Sequence, residues 1–209
     1  LVRVAILDSG VHAGHPHLGN VLGGIGITRE GPTDDYSDSL GHGTAVAAAI
    51  HEKAPAAGLL IVKIFHRQLA ATIEQLIAGL EWAIEQRVDF INLSLGTRNQ
   101  EHCARFEPLI QRAVTAGIRI VSARHINGSP CYPGSMPGVL GVDSDATVPR
   151  DEVRYQGETA IASPYPRPIP GVPPERNLNG ISFAVANATG LLCAQAINAI
   201  LPTPEQKTP

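Results

Sequence analysis

Three side chains could act together as acid, base and nucleophile: Asp8, His42 and Ser182. Asp8 closes the apolar run 2–7 (VRVAIL) and is followed by Ser9-Gly10. Functional sites gather at the carboxyl ends of strands in open parallel sheets. A carboxylate there can hydrogen-bond an imidazole, or it can simply cap a turn. His42 lies in Gly41-His42-Gly43-Thr44, ahead of a run of small residues. Glycines allow close backbone approach to a reacting group. The positive end of a helix disfavours a charged imidazole, so His42 needs a carboxylate partner to serve as a base. Taken alone, it also reads as a surface histidine. Ser182 lies in Gly180-Ile181-Ser182-Phe183-Ala184, before the most apolar run of the chain. It could cap that helix or act as a nucleophile whose own N–H faces a developing oxyanion. Together the three support nucleophilic acyl transfer.

The elements that must hold these residues alternate. Apolar runs at 2–7, 59–65, 88–95, 118–122 and 138–142 predict strands buried on both faces, hence a parallel sheet. Helices are predicted at 42–51, 70–86, 106–116 and 182–200. In the second, Ile73, Leu76, Ile77, Leu80 and Ile84 share one face. The sum is a three-layer α/β/α domain with a mostly parallel central sheet. Residues 164–174 carry six prolines, which excludes helix and inner strand there. Residues 1–201 read as one catalytic domain and 202–209 as a flexible C-terminal tail.

The 209 residues, 44% of them hydrophobic, suffice for one well-buried domain. A net charge of −3 gives no reason to expect nucleic acid or an acidic membrane as partner. No apolar stretch is expected to reach the roughly 18 residues of a spanning helix. The start, Leu-Val-Arg-Val, lacks the marks of a signal peptide and has no initiator Met, so a processed or trimmed chain is expected. Cys103 and Cys131 flank one region and could pair, whereas Cys193 reads as a core residue. No Cys/His spacing suggests zinc, and no cofactor is expected.

The order Asp, His, Ser, with Asp-Ser-Gly after a strand, Gly-His-Gly-Thr and Gly-x-Ser-x-Ala, resembles the subtilisin-like serine peptidases, or subtilases. The resemblance spans nearly the whole chain. Asp8-Ser9-Gly10-Val11 with His15-Pro16-His17-Leu18 is similar to the family's first catalytic block, which makes His12, His15 and His17 structural surface residues rather than a metal cluster. Gly79-Leu80-Glu81-Trp82-Ala83-Ile84 and Ile91-Asn92-Leu93-Ser94-Leu95-Gly96 are similar to another signature. The resemblance implies that Ser94, Leu95 and Gly96 wall the S1 pocket and pair with substrate backbone as an added strand. It implies that Leu69, Ala70 and Ala71 form the opposite edge strand. Tyr132-Pro133-Gly134 resembles an element near the S1 floor, with Pro133 a candidate for a cis bond. The implied activity is serine endopeptidase chemistry on a protein or peptide substrate, through an acyl-enzyme on Ser182, by a monomer. An inhibitory propeptide outside this chain is a further expected partner.

The departures from the family pattern are informative. An Asn after the fourth strand usually supplies an oxyanion donor. Here the segment is Ala123-Arg124-His125-Ile126-Asn127-Gly128. Ungapped alignment puts Ile126 at that position, and a one-residue insertion puts Asn127 there. Asn127 is preferred because Ile has no donor. Arg124 and His125 replace small residues beside S1, and could narrow it or favour acidic side chains. Leu40 and Ile181 also replace the residues usual at their positions. A loop that often binds calcium is cut to His51-Glu52-Lys53-Ala54-Pro55, without the oxygen ligands calcium needs, so no tight calcium site is expected there. Two rival readings follow: a peptide-binding pseudoprotease without turnover, and a transpeptidase or macrocyclase using the same acyl-enzyme. Glu-Asp-Ser acid peptidases are disfavoured, because His42 supplies a neutral-pH base.

Overall fold

A computed structural model describes residues 1–200. The expected tail, 202–209, lies outside the described residues. In chain order the elements are β1 (Arg3–Asp8), β2 (Val21–Ile27), β3 (Pro32–Thr33), α1 (His42–Lys53), β4 (Gly58–Lys63), α2 (Ile73–Glu85) and β5 (Phe90–Leu93). They continue with α3 (Cys103–Thr115), β6 (Arg119–Ala123), β7 (His125–Ile126), β8 (Ser129–Pro130), β9 (Val139–Ser144), β10 (Val153–Gln156), β11 (Thr159–Ala162) and α4 (Ile181–Ile200).

Nine strands form one sheet in the order β10-β11-β9-β6-β5-β1-β4-β2-β3. Its inner pairs, from β11 through β9, β6, β5, β1 and β4 to β2, are all parallel. Only the edge strands β10 and β3 run antiparallel. The strand alternation splits the core in two. Val4, Ile6 and Val121 pack with α1 and α4 on one face, while Ala5, Leu7 and Ile120 pack with α2 and α3 on the other. This is the expected three-layer α/β/α arrangement.

Local signals explain the element ends. Thr72 accepts from Gln75 N–H while the Gln75 side chain accepts from Thr72 N–H, a capping box that starts α2 three residues later than expected. Gln75 also donates to the Ile27 carbonyl, tying the helix to β2. The Pro-rich loop before α4 is anchored from inside the helix, where Asn187 donates to the carbonyls of Ser163 and Tyr165.

One expectation is corrected, and one open question about the cysteines is answered. The 20-residue α4 is long and apolar enough, by length and composition, to cross a membrane. However, 56% of its most apolar window is buried, and it packs on α1, β5, β6 and β9 as a core helix does. The cysteines do not pair, and Cys103, Cys131 and Cys193 are all free. Cys131 is buried with its Sγ beneath Gly96, whereas Cys103 opens α3. Burial pushes the Cys131 thiol up to about 11 and Cys193 up to about 12, so neither is a thiolate at neutral pH.

Candidate active site

The site is assembled from the end of β1 and the starts of α1 and α4. Asp8 ends β1 and is almost wholly buried, with its Oδ1 2.7 Å from His42 Nδ1. Ser9 N–H donates to the same oxygen. The second carboxylate oxygen, Oδ2, is buried without a partner, an expense that protein interiors rarely tolerate away from functional sites. His42 is the first residue of α1, so its position follows from how that helix is capped.

The cap comes from Asp38, which the sequence reading missed. Asp38 Oδ1 accepts from the Ser9 hydroxyl and from the N–H groups of Leu40 and Gly41, and Oδ2 accepts from Thr44 N–H and Oγ1. Ser9 in turn accepts from Gly43 N–H at 2.8 Å, joining the end of β1 to the start of α1. A carboxylate a few residues before Gly-His-Gly-Thr was the available signal. Burial works to lower the His42 pKa, but the hydrogen bond and charge of Asp8, with the charge of Asp38, raise it above the ordinary histidine value.

Ser182 is the second residue of α4, so its N–H is among the first-turn donors that a helix leaves unsatisfied. Gly180 precedes it at φ 147, a conformation glycine adopts without strain. The ring of Phe183, the next residue, lies 5.5 Å from that of His42, so the start of α4 faces the imidazole. The Ser182 hydroxyl donates to the Ser94 carbonyl at 3.4 Å.

A buried polar chain, also missed from sequence, fixes this junction. Thr189 Oγ1 donates to Asn92 Oδ1, Asn92 Nδ2 donates to Ser94 Oγ, and Ser94 Oγ reaches the Ser182 carbonyl at 3.4 Å. It links α4 to the end of β5 on one face of the sheet.

Of the expected substrate-binding residues, Ser94 touches this junction and Ala71 faces Leu95 and Gly96 across a hollow, and none of the six lies in a sheet strand. β4 stops at Lys63 and β5 at Leu93, so Leu69-Ala70-Ala71 and Ser94-Leu95-Gly96 lie beyond the ladder, without a strand partner. A hollow of about 250 Å³ separates Ala71–Leu76 from Leu95–Thr97. Tyr132-Pro133 is cis, as the sequence suggested. Tyr132 exchanges both backbone hydrogen bonds with Thr97, which braces the Ser94–Gly96 segment from behind.

Asn127 sits at the tip of the β7–β8 hairpin, exposed, with φ 52, followed by Gly128 with φ 75. Two left-handed residues in succession are what a two-residue hairpin turn of this kind requires. The Asn127 amide has no hydrogen-bond partner among the described residues. Its neighbour Ile126 packs on the core cluster that contains Phe183 and Ala184.

The subtilase family model matches residues 2–146, more than half of the chain. The chain belongs to the subtilase family. This subtilase is 31% identical to Subtilisin E of Bacillus subtilis strain 168 over 205 residues, covering 91% of the chain and 52% of that protein. It is 29% identical to Subtilisin NAT of Bacillus subtilis subsp. natto, with the same coverage. Intracellular serine protease of Paenibacillus polymyxa is 34% identical over 160 residues, covering 68% of this chain and 48% of that protein. The chain thus spans about half the length of the curated relatives it matches. The family match takes in Asp8 and His42 and ends before Ser182, whose assignment rests on the geometry above.

Proposed function

We propose that this subtilase is a serine endopeptidase working through Asp8, His42 and Ser182 and an acyl-enzyme intermediate. The observation that carries the reading is the buried Asp8–His42 pair at 2.7 Å, facing the start of the helix that bears Ser182. Asp8 holds Nδ1–H and leaves the Nε2 lone pair to accept a proton. Ser182 Oγ attacks the scissile carbonyl carbon as His42 takes its proton. The carbonyl π pair moves to oxygen, which the Ser182 N–H stabilises with the aid of the α4 dipole. His42⁺ then gives its proton to the leaving amine as the C–N bond breaks. Water, activated by the same imidazole, releases the acyl group. Attack requires the Ser182 hydroxyl to turn from Ser94 towards His42. The substrate backbone takes the place of a missing strand between Ser94–Gly96 and Leu69–Ala71.

Labelling with a fluorophosphonate, read by intact mass and peptide mapping, tests the nucleophile. A single adduct on Ser182, absent in Ser182→Ala, is expected. No adduct would favour the peptide-binding reading, for which the present Ser182–Ser94 hydrogen bond is the one specific observation.

Asn127 is the proposed side-chain oxyanion donor. Its amide is uncommitted, and it follows β6 at the family's oxyanion position after one insertion. Asn127→Ala should lower kcat by about 100- to 1,000-fold with little change in KM. A wild-type kcat would leave Asn127 with its turn alone and the Ser182 N–H as the donor.

A further inference from the structure

A cavity of about 490 Å³ opens between the approaches to His42 and Ser182. Gly41, immediately before His42, forms part of its wall, and Leu178, four residues before Ser182, forms another. No residue of Ser94–Gly96 lines it. A peptide lying along Ser94–Gly96 as far as Ser182 therefore carries its leaving-group side towards this cavity.

The walls are apolar where Ala45, Ile169 and Leu178 face in, and Ile169 and Leu178 are about half exposed. The rest is rich in hydrogen-bond donors. The rings of His12, His15 and His17 stand edge to face in succession, 6.4 and 4.9 Å apart, and Arg167 lines the cavity beside them. Burial first, then the charge of Arg167, works against a charged His17, whose pKa is lowered. The carboxylates nearest the cavity, Asp38 in its lining and Glu52, whose charge acts on His17, are held by other groups. Asp38 accepts five hydrogen bonds at the start of α1, and Glu52 pairs with Arg150 and Lys53. Arg167 makes no ion pair among the described residues. A guanidinium without a direct ion-pair partner, beside histidine donors and apolar walls, can take an anion from outside, because Asp38, the one carboxylate of the lining, turns its oxygens to the start of α1.

We propose that this cavity is the leaving-group subsite and that it selects a carboxylate, held by Arg167 and the His15 and His17 imidazoles against apolar walls. The carboxylate comes from an acidic side chain just after the scissile bond or from the C-terminus of a short substrate. This assignment rests on the peptidase reading for its role in turnover, though the binding itself does not require turnover. His15 and His17 thereby acquire a use beyond surface structure.

The test is calorimetric titration of the Ser182→Ala protein with Ala-Leu-Glu and Ala-Leu-Gln, each as free acid and as amide. At least one carboxylate-bearing form should bind roughly tenfold tighter than the Ala-Leu-Gln amide, the scale of one charge-assisted hydrogen bond. Preference for Glu in both terminal forms would identify a side-chain carboxylate, and preference for the free acids a C-terminal one. Adding Arg167→Ala should cut the advantage to less than about twofold, and Arg167→Glu should reverse it. Equal binding of all four peptides, no detectable binding at millimolar concentration, or an advantage that survives Arg167→Glu would overturn the proposal. The readout needs no nucleophile, so its failure is separable from failure of fluorophosphonate labelling.

Discussion

His42 stands under opposed influences, and their balance sets when the site can work. Burial disfavours the imidazolium, while Asp8 at 2.7 Å and the charge of Asp38 favour it. The balance is a pKa above the ordinary 6.5. In the proposed mechanism only neutral His42 can accept the Ser182 proton, so activity should rise with pH through that raised value. The pH profile of kcat/KM should show an acid limb with its midpoint above 6.5. Asp8→Asn removes the negative charge, so the limb should move to lower pH while kcat falls about 10,000-fold, through loss of the correct tautomer. A limb unmoved in that variant would detach the ionisation from His42. Stability runs the other way. A raised folded-state pKa contributes stability fully present below about 6.5 and lost as pH rises through the folded value. The charge state that best holds the pair together is thus the one that the proposed mechanism cannot use.

At the scale of elements, the junction of β1 with α1 shows why glycine is needed where helix propensity argues against it. Gly43 lies inside α1, where alanine would ordinarily gain about 0.5–1 kcal/mol. A Cβ at Gly43, however, would overlap the Gly10 carbonyl oxygen and approach Ser9 N to 3.1 Å. Gly43→Ala should therefore destabilise by about 1–3 kcal/mol, measured by denaturant midpoint, with loss of activity as His42 is displaced. A gain in stability would mean that the junction is looser than its contacts imply. The same junction marks the limit of sequence reading. Gly41-His42-Gly43-Thr44 is a local pattern and was legible. The Asp38–Ser9 brace and the Thr189–Asn92–Ser94 chain join residues 29 and up to 97 positions apart, which no local pattern encodes. Strands buried on both faces announced themselves as apolar runs. β2 (VLGGIGI) did not, because Gly24 and Gly26 stand where a Cβ would meet the backbone of Ile61 and of Asp35. The short, polar edge strand β10 lacked the signal for a related reason, since an edge buries little. Asn127 is ambiguous in another way: Asn-Gly serves a hairpin turn and an oxyanion hole equally well, and residue type alone does not separate them.

At the scale of the whole molecule, stability rests on the packing of the three layers. Two core clusters, one on each face of the sheet, give each helical layer its own apolar contact, one extending from β2 to β11 and the other from β2 to β9. The connection from α1 to β4 takes only residues 54–57, closed by Ala54 N–H on Ile50 O and Ala57 N–H on Ala54 O. Its backbone is thereby committed to turns, and it offers no carboxylate cage for a calcium ion. Among the described residues, no group of three or more His, Cys, Asp or Glu side chains is arranged to hold a metal. A structural metal at a hundred times its Kd would contribute about 2.7 kcal/mol, which for a domain of this size is about 5–10 °C in Tm. Dialysis against a chelator should therefore leave the thermal midpoint within about 1 °C, well short of that scale. A drop of several degrees, restored by adding calcium, would locate part of the stability in an ion rather than in the two cores and the short α1–β4 turn.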